Sequence, residues 1–212
     1  PCQPHSLMGN RNGKNDDRGN LFYDIAEIIR VKRPANFILE NVKSITSVNN
    51  GNFFQEIIDI LALKLNYSVN VLCLNASDFG IPQTRRRVFI VGDRDKDISN
   101  LNIDDFKTDL RLSEYPSTWH LLEKEVDERY YLSEKILKTI LKDKHKGYNR
   151  KAEINKLIAR PLTKTMHKMH RASQDNYYSD SFIKGHYDKK EEKVILARLS
   201  KDRIRRITPR EA

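Results

Sequence analysis

Cysteine, long apolar runs and a leader-like segment are all scarce or missing in this sequence. The chain has two cysteines in 212 residues, Cys2 and Cys73, too few for a disulfide framework. No apolar run approaches the roughly 18 residues that a membrane-spanning helix requires. No charged segment followed by an apolar one opens the chain. These absences exclude disulfide-rich and membrane-spanning proteins, and they favour a cytoplasmic protein without a membrane partner.

Positive charge is present in excess, but only in one half of the chain. Residues 1–110 carry 14 basic and 14 acidic side chains, whereas residues 111–212 carry 25 and 15. The net charge of +10 therefore belongs to the second half. A basic half beside a neutral one predicts that one half binds a polyanion such as nucleic acid. A basic surface that only keeps the protein soluble is the alternative.

The first half alternates helical and strand patterns. A helix is predicted after a polar, glycine-containing loop (residues 9–20) and before Pro34, because five apolar residues share one face: Leu21, Phe22, Ile25, Ile28 and Ile29. A second helix is predicted over residues 52–65, and buried strands over residues 36–40, 67–74 and 88–91. The alternation predicts an α/β fold with a mainly parallel sheet and helices on both faces, with Cys73 in the core.

The second half differs from the first in composition and in its pattern of apolar residues. Residues 93–112 are polar and resemble a linker, and Ser133 is expected to cap a helix over residues 134–142. Residues 160–187 are basic, rich in aromatic and histidine residues and without a clear period, as a recognition surface of loops would be. His167 and His170 lack cysteine partners at ligand spacing, so no metal site is predicted.

Five short motifs stand in order along the chain: Pro1-Cys-Gln-Pro-His-Ser-Leu-Met-Gly9, Arg18-Gly-Asn-Leu-Phe22, Glu40-Asn-Val42, Gln83-Thr-Arg-Arg-Arg87 and Arg206-Ile-Thr-Pro-Arg-Glu211. In this order and at these separations they resemble the DNA (cytosine-5) methyltransferase family. The resemblance covers residues 1–94 and 203–212, with a region of the expected size and character between them. It implies an internal fragment of such an enzyme, running from the Pro-Cys catalytic motif to the Thr-Pro-Arg-Glu motif.

The resemblance also implies an architecture. We expect a partial Rossmann-like methyltransferase sheet and a smaller, irregular target recognition domain. Residues 1–110 would form the C-terminal part of the catalytic domain, residues 111–200 the target recognition domain, and residues 201–212 a return segment to the catalytic domain.

The chemistry of cytosine methylation suits two residues of these motifs. Cytosine C5 is a poor nucleophile until a group adds to C6, and a thiolate adds well. Cys2 is therefore predicted to be the nucleophile, against the alternative of a small buried side chain. The attack moves negative charge toward N3, where a carboxyl group can donate a proton or a hydrogen bond. The resemblance gives this role to Glu40, which is expected to close an apolar strand; a surface glutamate is the alternative.

The Gln83-Thr-Arg-Arg-Arg87 motif leads into a predicted strand. Arg85 and Arg87 alternate onto one face, with Arg86 on the other. The resemblance implies that Arg85 and Arg87 contact the cytosine or an adjacent phosphate. A solvated charge cluster before a strand is the alternative.

An enzyme of this kind must rotate its target base out of the duplex. The resemblance assigns Ser6 and Arg18 to a loop that closes over the flipped nucleotide. In the second half, donor-rich side chains are expected to contact double-stranded DNA, mostly at phosphates and in part at base edges. The predicted DNA-binding residues are Ser6, Arg18, Arg160, Lys164, Lys168 and Arg171, with His167, His170, Gln174 and Asn176 as further donors.

The family's methyl donor, S-adenosylmethionine, is implied as the cofactor. The family holds it largely through a glycine-rich turn after a strand, and no Gly-x-Gly turn occurs in this sequence. Cofactor-binding residues are therefore not assigned, and the chain alone is predicted to be inactive, with a complementary methyltransferase half or subunit as a partner. A modification enzyme of a restriction-modification system is the expected role.

Three other functions stay open at this point. If only the basic half has a function, the chain is a DNA-binding remnant without catalysis. It is an RNA methyltransferase of the same family if its polyanion is RNA. An unrelated cysteine hydrolase would need a histidine base near Cys2, and His5 lies too close in sequence to serve easily.

Overall fold

The computed structural model describes residues 21–104, 115–141, 153–163, 166, 170–171 and 174–212. They form two compact units. The first unit contains residues 21–75 and 86–104, and the second contains residues 76–85 and the described residues from 115 to 212. Each unit has its own apolar core.

The first unit is built on a three-stranded sheet of β1 (Asn36–Val42), β2 (Ser68–Asn75) and β3 (Arg86–Asp93). β3 lies in the middle and pairs antiparallel with both neighbours. The predicted mainly parallel pairing is therefore wrong for these strands. β2 reaches β3 through residues 76–85 alone, whereas parallel neighbours need a crossover of about a dozen residues or more, usually with a helix.

Two predicted helices pack against this sheet. α1 (Leu21–Lys32) ends before Pro34, where Arg33 adopts a left-handed backbone with φ 46°. α2 (Asn52–Asp59) continues as a wider helical turn over Ile60–Lys64. The spacing predicts five inward residues in this second helical stretch. Phe53, Ile57 and Leu61 are buried as predicted, whereas Phe54 and Ile58 are only partly buried.

The inward face of α1 differs from the predicted one. Phe22, Ala26 and Ile29 are buried, whereas Ile28 is 60% exposed and Leu21 is 42% exposed. The buried residues follow each other at intervals of four and three, which forms one stripe. Ile28 lies about 100° around the helix from Ile29, so it faces away from the core.

The sheet shows a second departure and one close contact. Cys73 is exposed rather than part of the core, although it lies opposite the buried Val88 and so on the core-facing side of the sheet. β2 is an edge strand among the described residues, and Cys73 lies near its end. A Cβ added to Gly92 in β3 would lie 2.1 Å from the Phe37 ring. The ring of Phe37 itself meets Tyr67 edge to face, with centroids 5.1 Å apart. Glycine is therefore what allows Phe37 to cross β3 here.

The second unit is made of short elements. β4 (Tyr177–Ser179) pairs antiparallel with β7 (Ile204–Arg206), and β5 (His186–Asp188) pairs antiparallel with β6 (Lys193–Ile195). α3 (Glu134–Ile140) begins after Ser133 as predicted, although the Ser133 side chain makes no capping hydrogen bond. α4 (Asp180–Ile183) follows β4 directly.

Residues 160–187 are expected to form a recognition surface of loops, but part of this stretch lies in the apolar core instead. All residues from 177 to 183 are buried, in β4 and α4. Tyr178, Phe182 and Ile183 pack with Ile207 in one apolar cluster. Within the described part of the chain, none of the helices has the length and apolar character to cross a membrane.

Candidate active site

Glu40 and Arg87 meet on one face of the sheet. In the β1–β3 ladder, Val42 lies opposite Arg87 and Glu40 lies opposite Phe89. Residues two apart along a strand share a face, so Arg87 reaches Glu40 diagonally. Arg87 Nε lies 2.8 Å from Glu40 Oε1, and Arg87 Nη1 donates to the carbonyl of Arg86 at 2.9 Å. Antiparallel pairing thus brings two of the predicted catalytic side chains together.

The surroundings of Glu40 differ from the predicted ones. β1 continues to Val42, so Glu40 lies within the strand and does not close it. The Glu40 side chain is 45% exposed and that of Arg87 is 21% exposed. Such an exposed pair contributes at most about 1 kcal/mol to stability, so its main effect is to orient the carboxyl group. Next to it, Asn41 Oδ1 accepts a hydrogen bond from the Val42 amide at 2.9 Å.

Arg85 lies outside the sheet, in the loop of residues 76–85. The Ala76 amide donates to the Arg85 carbonyl at 3.1 Å and closes the loop at its base. The loop turns at Gly80, whose φ of 75° is a conformation that glycine adopts readily. Arg85 belongs to the second unit, whereas Arg87 belongs to the first. That both arginines face one site therefore stays a prediction.

The same loop is hydrogen-bonded to another segment of the second unit. The Thr84 amide donates to the Ala159 carbonyl, and the Ala159 amide donates to the Pro82 carbonyl, each at 2.8 Å. These two bonds form a parallel bridge between Gln83 and Ala159. The Gln83-Thr-Arg part of the motif is thus held by the residue that precedes Arg160.

Arg160, predicted to contact DNA, forms several hydrogen bonds inside the second unit. Its Nη2 lies 3.0 Å from Glu153 Oε2, and its Nη1 donates to the carbonyls of Glu153 and Asp175 at 3.1 and 3.3 Å. The Arg160 side chain is 16% exposed. Its backbone amide and carbonyl bind the side chain of Asn176. Contact of Arg160 with DNA stays a prediction, and it would require these internal bonds to be exchanged.

Arg171 stands at a turn and is partly exposed. Its amide donates to Asp175 Oδ2, and its Nη1 donates to Gln174 Oε1, both at 2.8 Å. His170 stacks on Tyr177 with centroids 6.3 Å apart. Burial is the larger cause, and the nearby positive charge of Arg206 the smaller one, of a lowered pKa at His170. The imidazole is therefore neutral at pH 7 and adds no charge. Arg171 stays a predicted DNA contact, with its guanidinium oriented by Gln174.

Several predicted residues lie outside the described part of the chain. They are the nucleophile and four of the predicted DNA contacts: Cys2, Ser6, Arg18, Lys164 and Lys168. Their roles stay predictions. The same applies to His167.

A buried ion pair in the second unit escapes prediction from the sequence. The side chains of Arg205 and Glu211 are each 1% exposed and are joined by two hydrogen bonds of 2.6 and 2.8 Å. Glu211 Oε1 also accepts from the Glu123 amide at 2.6 Å, and Oε2 accepts from the Thr208 amide at 2.8 Å. The family motif begins one residue later, at Arg206. The sequence does carry a signal for the burial of Arg205, which lies two residues before apolar Ile207 and so shares its inward face.

The family model for C-5 cytosine-specific DNA methylase matches residues 1–212. The chain belongs to this family. The resemblance carried by the five motifs is thereby confirmed.

The methylase chain is 36% identical over 212 residues to the type II methyltransferase M1.ScrFI of Lactococcus lactis subsp. cremoris, covering 100% of this chain and 50% of that protein. It is 33% identical over 212 residues to the type II methyltransferase M.SsoII of Shigella sonnei, covering 100% and 51%. The chain thus spans about half the length of the curated relatives it matches.

The fold has known counterparts as well. The methylase chain is similar to the structure of the Entamoeba histolytica methyltransferase EhMeth, with a TM-score of 0.63 and 19% identity, covering 100% of this chain and 61% of that one. At this identity the likeness shows the fold alone. The predicted α/β methyltransferase fold is confirmed.

Proposed function

We propose that the chain carries the nucleophile and target-binding part of a DNA (cytosine-5) methyltransferase, which moves a methyl group from S-adenosylmethionine to C5 of cytosine in duplex DNA. The observation that carries the proposal is the Glu40–Arg87 pair in a chain of the C-5 cytosine DNA methylase family. The type II names of its relatives favour a cytoplasmic modification enzyme of a restriction-modification system.

Cys2 is the nucleophile in this proposal. Its thiolate forms a bond to C6 of a cytosine that has been rotated out of the duplex, and the ring electrons move toward C5 and N3. C5 thereby becomes nucleophilic enough to accept a methyl group from a donor held elsewhere. Transfer of the C5 proton to a base such as water would then return the electron pair to the ring, as the bond from sulfur to C6 breaks and regenerates the thiolate.

Glu40 stabilises the charge that develops at N3 of the base. A carboxyl group must be held within hydrogen-bond distance of N3 for this purpose. Arg87 holds Glu40 through Oε1 at 2.8 Å, and the carboxyl group is 45% exposed, so a base can approach it. Arg85, on its separate loop, would contact the cytosine or an adjacent phosphate.

The second unit provides most of the contacts to DNA in this proposal. The basic excess of residues 111–212 attracts the phosphate backbone. Arg171, Lys164 and Lys168 contact DNA there, while Ser6 and Arg18 belong to the loop that closes on the flipped base. We retain a target recognition domain at residues 111–200 and a return segment at residues 201–212. The catalytic domain of residues 1–110 then contributes its loop of residues 76–85 to the second unit.

The described residues do not by themselves fit S-adenosylmethionine. Such a cofactor is held at a tight glycine turn that follows a strand. In the described part of the chain, β1 runs into a 3-10 turn at Lys43 and β2 into one at Ala76, neither of which begins with glycine. No catalytic step is therefore derived through the cofactor, and a complementary half is expected to hold it.

The test is methyl transfer from labelled S-adenosylmethionine to mixed-sequence duplex DNA. The chain is assayed alone and after reconstitution with the cofactor-binding half of a relative. We expect label at cytosine C5 only in the reconstituted enzyme. Label on RNA but not on DNA would favour the RNA methyltransferase of the same family. DNA binding without any label would overturn the catalytic proposal and leave a binding remnant.

Three variants separate the roles of the proposed catalytic residues. Cys2→Ala should abolish methyl transfer while DNA binding is retained. Glu40→Gln should lower kcat by about 10²- to 10⁴-fold, the range for loss of general acid–base assistance. Arg87→Lys should lower kcat by about 100-fold, because the carboxyl group loses its orientation. Arg30→Lys is the matched control, since Arg30 pairs with Glu27 on the exposed surface of α1.

A further inference from the structure

Hydrogen bonds run without interruption from the sheet of the second unit to the segment that bears Arg85. Asn176 directly precedes β4 and binds both backbone polar groups of Arg160. Ala159, the preceding residue, bridges Pro82 and Thr84. Arg85 follows Thr84 directly. Every residue in this series belongs to the second unit.

The Asn176 side chain is well suited to hold this backbone. The Arg160 amide donates to Asn176 Oδ1 at 2.8 Å, and Asn176 Nδ2 donates to the Arg160 carbonyl at 3.0 Å. Asn176 is 5% exposed, so water cannot readily replace either bond. Polar groups left unpaired in such a place destabilise the fold, because neither water nor another group replaces the lost hydrogen bond. The amide therefore fixes Arg160, and Ala159 with it, against the start of β4.

The guanidinium of Arg160 strengthens the same clamp. Its bonds to the carbonyls of Glu153 and Asp175 hold Arg160 to the chain on both sides. Ala159 is then restrained from one side by Arg160 and presents its own amide and carbonyl to Pro82 and Thr84. The position of the loop backbone at residues 82–84 therefore depends on the segment around residue 176.

We propose that Asn176 is a positioning residue for Arg85. It acts through the backbone of Arg160 and Ala159. That backbone fixes the position of residues 82–84, which directly precede Arg85. The inference rests on the role that the proposed function gives to Arg85. Arg87 is positioned by a different device, the β1–β3 ladder and Glu40. Arg87 is thus positioned within the first unit and Arg85 within the second unit. In the proposed function, the second unit also provides most of the contacts to DNA.

The test compares Asn176→Ala with Asn155→Gly. Asn155 makes an equivalent clamp, because its Oδ1 accepts from the Ser179 amide at 2.8 Å and its Nδ2 donates to Ser179 Oγ at 3.0 Å. It holds the far end of β4. Its φ of 59° means that glycine removes the side chain without backbone strain.

The first measurement is amide hydrogen exchange at Thr84 in the full chain. We expect exchange about tenfold faster in Asn176→Ala, the effect of losing one buried hydrogen-bonded link. Asn155→Gly should leave it unchanged. The second measurement is methyl transfer by the reconstituted enzyme, where Asn176→Ala should lower kcat about tenfold without raising KM for DNA.

The outcomes separate the two proposals. Unchanged exchange at Thr84 in Asn176→Ala, or equally faster exchange in Asn155→Gly, overturns the positioning role. So does an unchanged kcat in Asn176→Ala when the unaltered enzyme is active. Absence of methyl transfer by the unaltered reconstituted enzyme overturns the proposed function itself, and the assignment of Arg85 falls with it.

Discussion

The buried ion pair between Arg205 and Glu211 allows a sharp prediction of stability. Glu211 accepts two hydrogen bonds from the Arg205 guanidinium, at 2.6 and 2.8 Å, and one each from the amides of Glu123 and Thr208. Arg205 donates in addition to the carbonyl of Glu123 at 2.9 Å. Truncation of Glu211 to alanine removes the carboxylate and leaves the guanidinium and two amides behind.

The expected cost follows from burial. The Arg205 side chain is 1% exposed, so without Glu211 its hydrogen-bond partners among the described residues are the backbone carbonyls of Glu123 and Arg206. Breaking one side of a buried pair costs about 3–5 kcal/mol. Glu211→Ala should therefore lower the free energy of unfolding of the second unit by about that amount. Arg205→Met combined with Glu211→Gln should cost less than the sum of the two single changes, because no buried charge is then unpaired.

Urea unfolding followed by tryptophan fluorescence measures this directly. The single tryptophan, Trp119, lies in the second unit and donates from Nε1 to the Phe182 carbonyl at 3.0 Å. Arg210→Ala is the control, since Arg210 is 86% exposed and should cost less than about 1 kcal/mol. A loss below about 1 kcal/mol for Glu211→Ala would refute the reasoning, because the pair would then behave as a surface pair.

Three further changes have expected outcomes in urea unfolding. Gly92→Ala should destabilise the first unit by about 1–3 kcal/mol, because the added methyl group would overlap the Phe37 ring; an unchanged midpoint would contradict the close contact. Leu61→Ala should cost about 2–5 kcal/mol at a fully buried position, whereas Leu63→Ala, at 77% exposure, should change the stability by less than about 0.5 kcal/mol. Burial raises the pKa of Tyr178 from 10.0 to about 12, so stability present below pH 10 is lost as the pH rises toward 12. Tyr178→Phe should make this alkaline loss shallower, and an identical pH dependence would count against it.

Local patterns in the sequence predict the elements of the first unit well. The apolar spacing places α1, α2 and all three strands within a few residues, because both periods depend only on neighbouring residues. Whether β3 runs parallel or antiparallel to its neighbours depends on which strands pair, and the alternation of helices and strands predicts parallel pairing, which is wrong here. The short connection of residues 76–85 between β2 and β3 indicates antiparallel pairing correctly.

Burial is harder to predict than secondary structure. Ile28 and Cys73 have apolar side chains and yet are exposed, Ile28 on the outer face of α1 and Cys73 near the end of the edge strand β2. Conversely, Arg205 is charged and almost fully buried. In each case the side chain's position follows from its neighbours in space, and the hydrophobicity of the residue alone gives the wrong answer.

The motifs predict which residues form the candidate site, and the structure adds the contacts between two of them. The motifs name Glu40 and Arg87, and the pairing register alone shows that they touch. Among the described residues, Glu40 has the Arg87 guanidinium as its neighbour and is 45% exposed, which differs from the apolar environment expected for it. Asn176 was predicted as a base-reading donor, whereas its amide is committed to Arg160.

The loop of residues 76–85 has a practical consequence for protein engineering. If the second unit is the target recognition domain, as proposed, target specificity would be altered by exchanging it between relatives, with the cuts placed near residue 111. Such a graft would leave behind a loop whose Thr84 amide and Pro82 carbonyl bond to Ala159 of the unit being replaced. A functional chimera should therefore carry two inserts from the donor, with residues 76–85 transferred together with the larger piece.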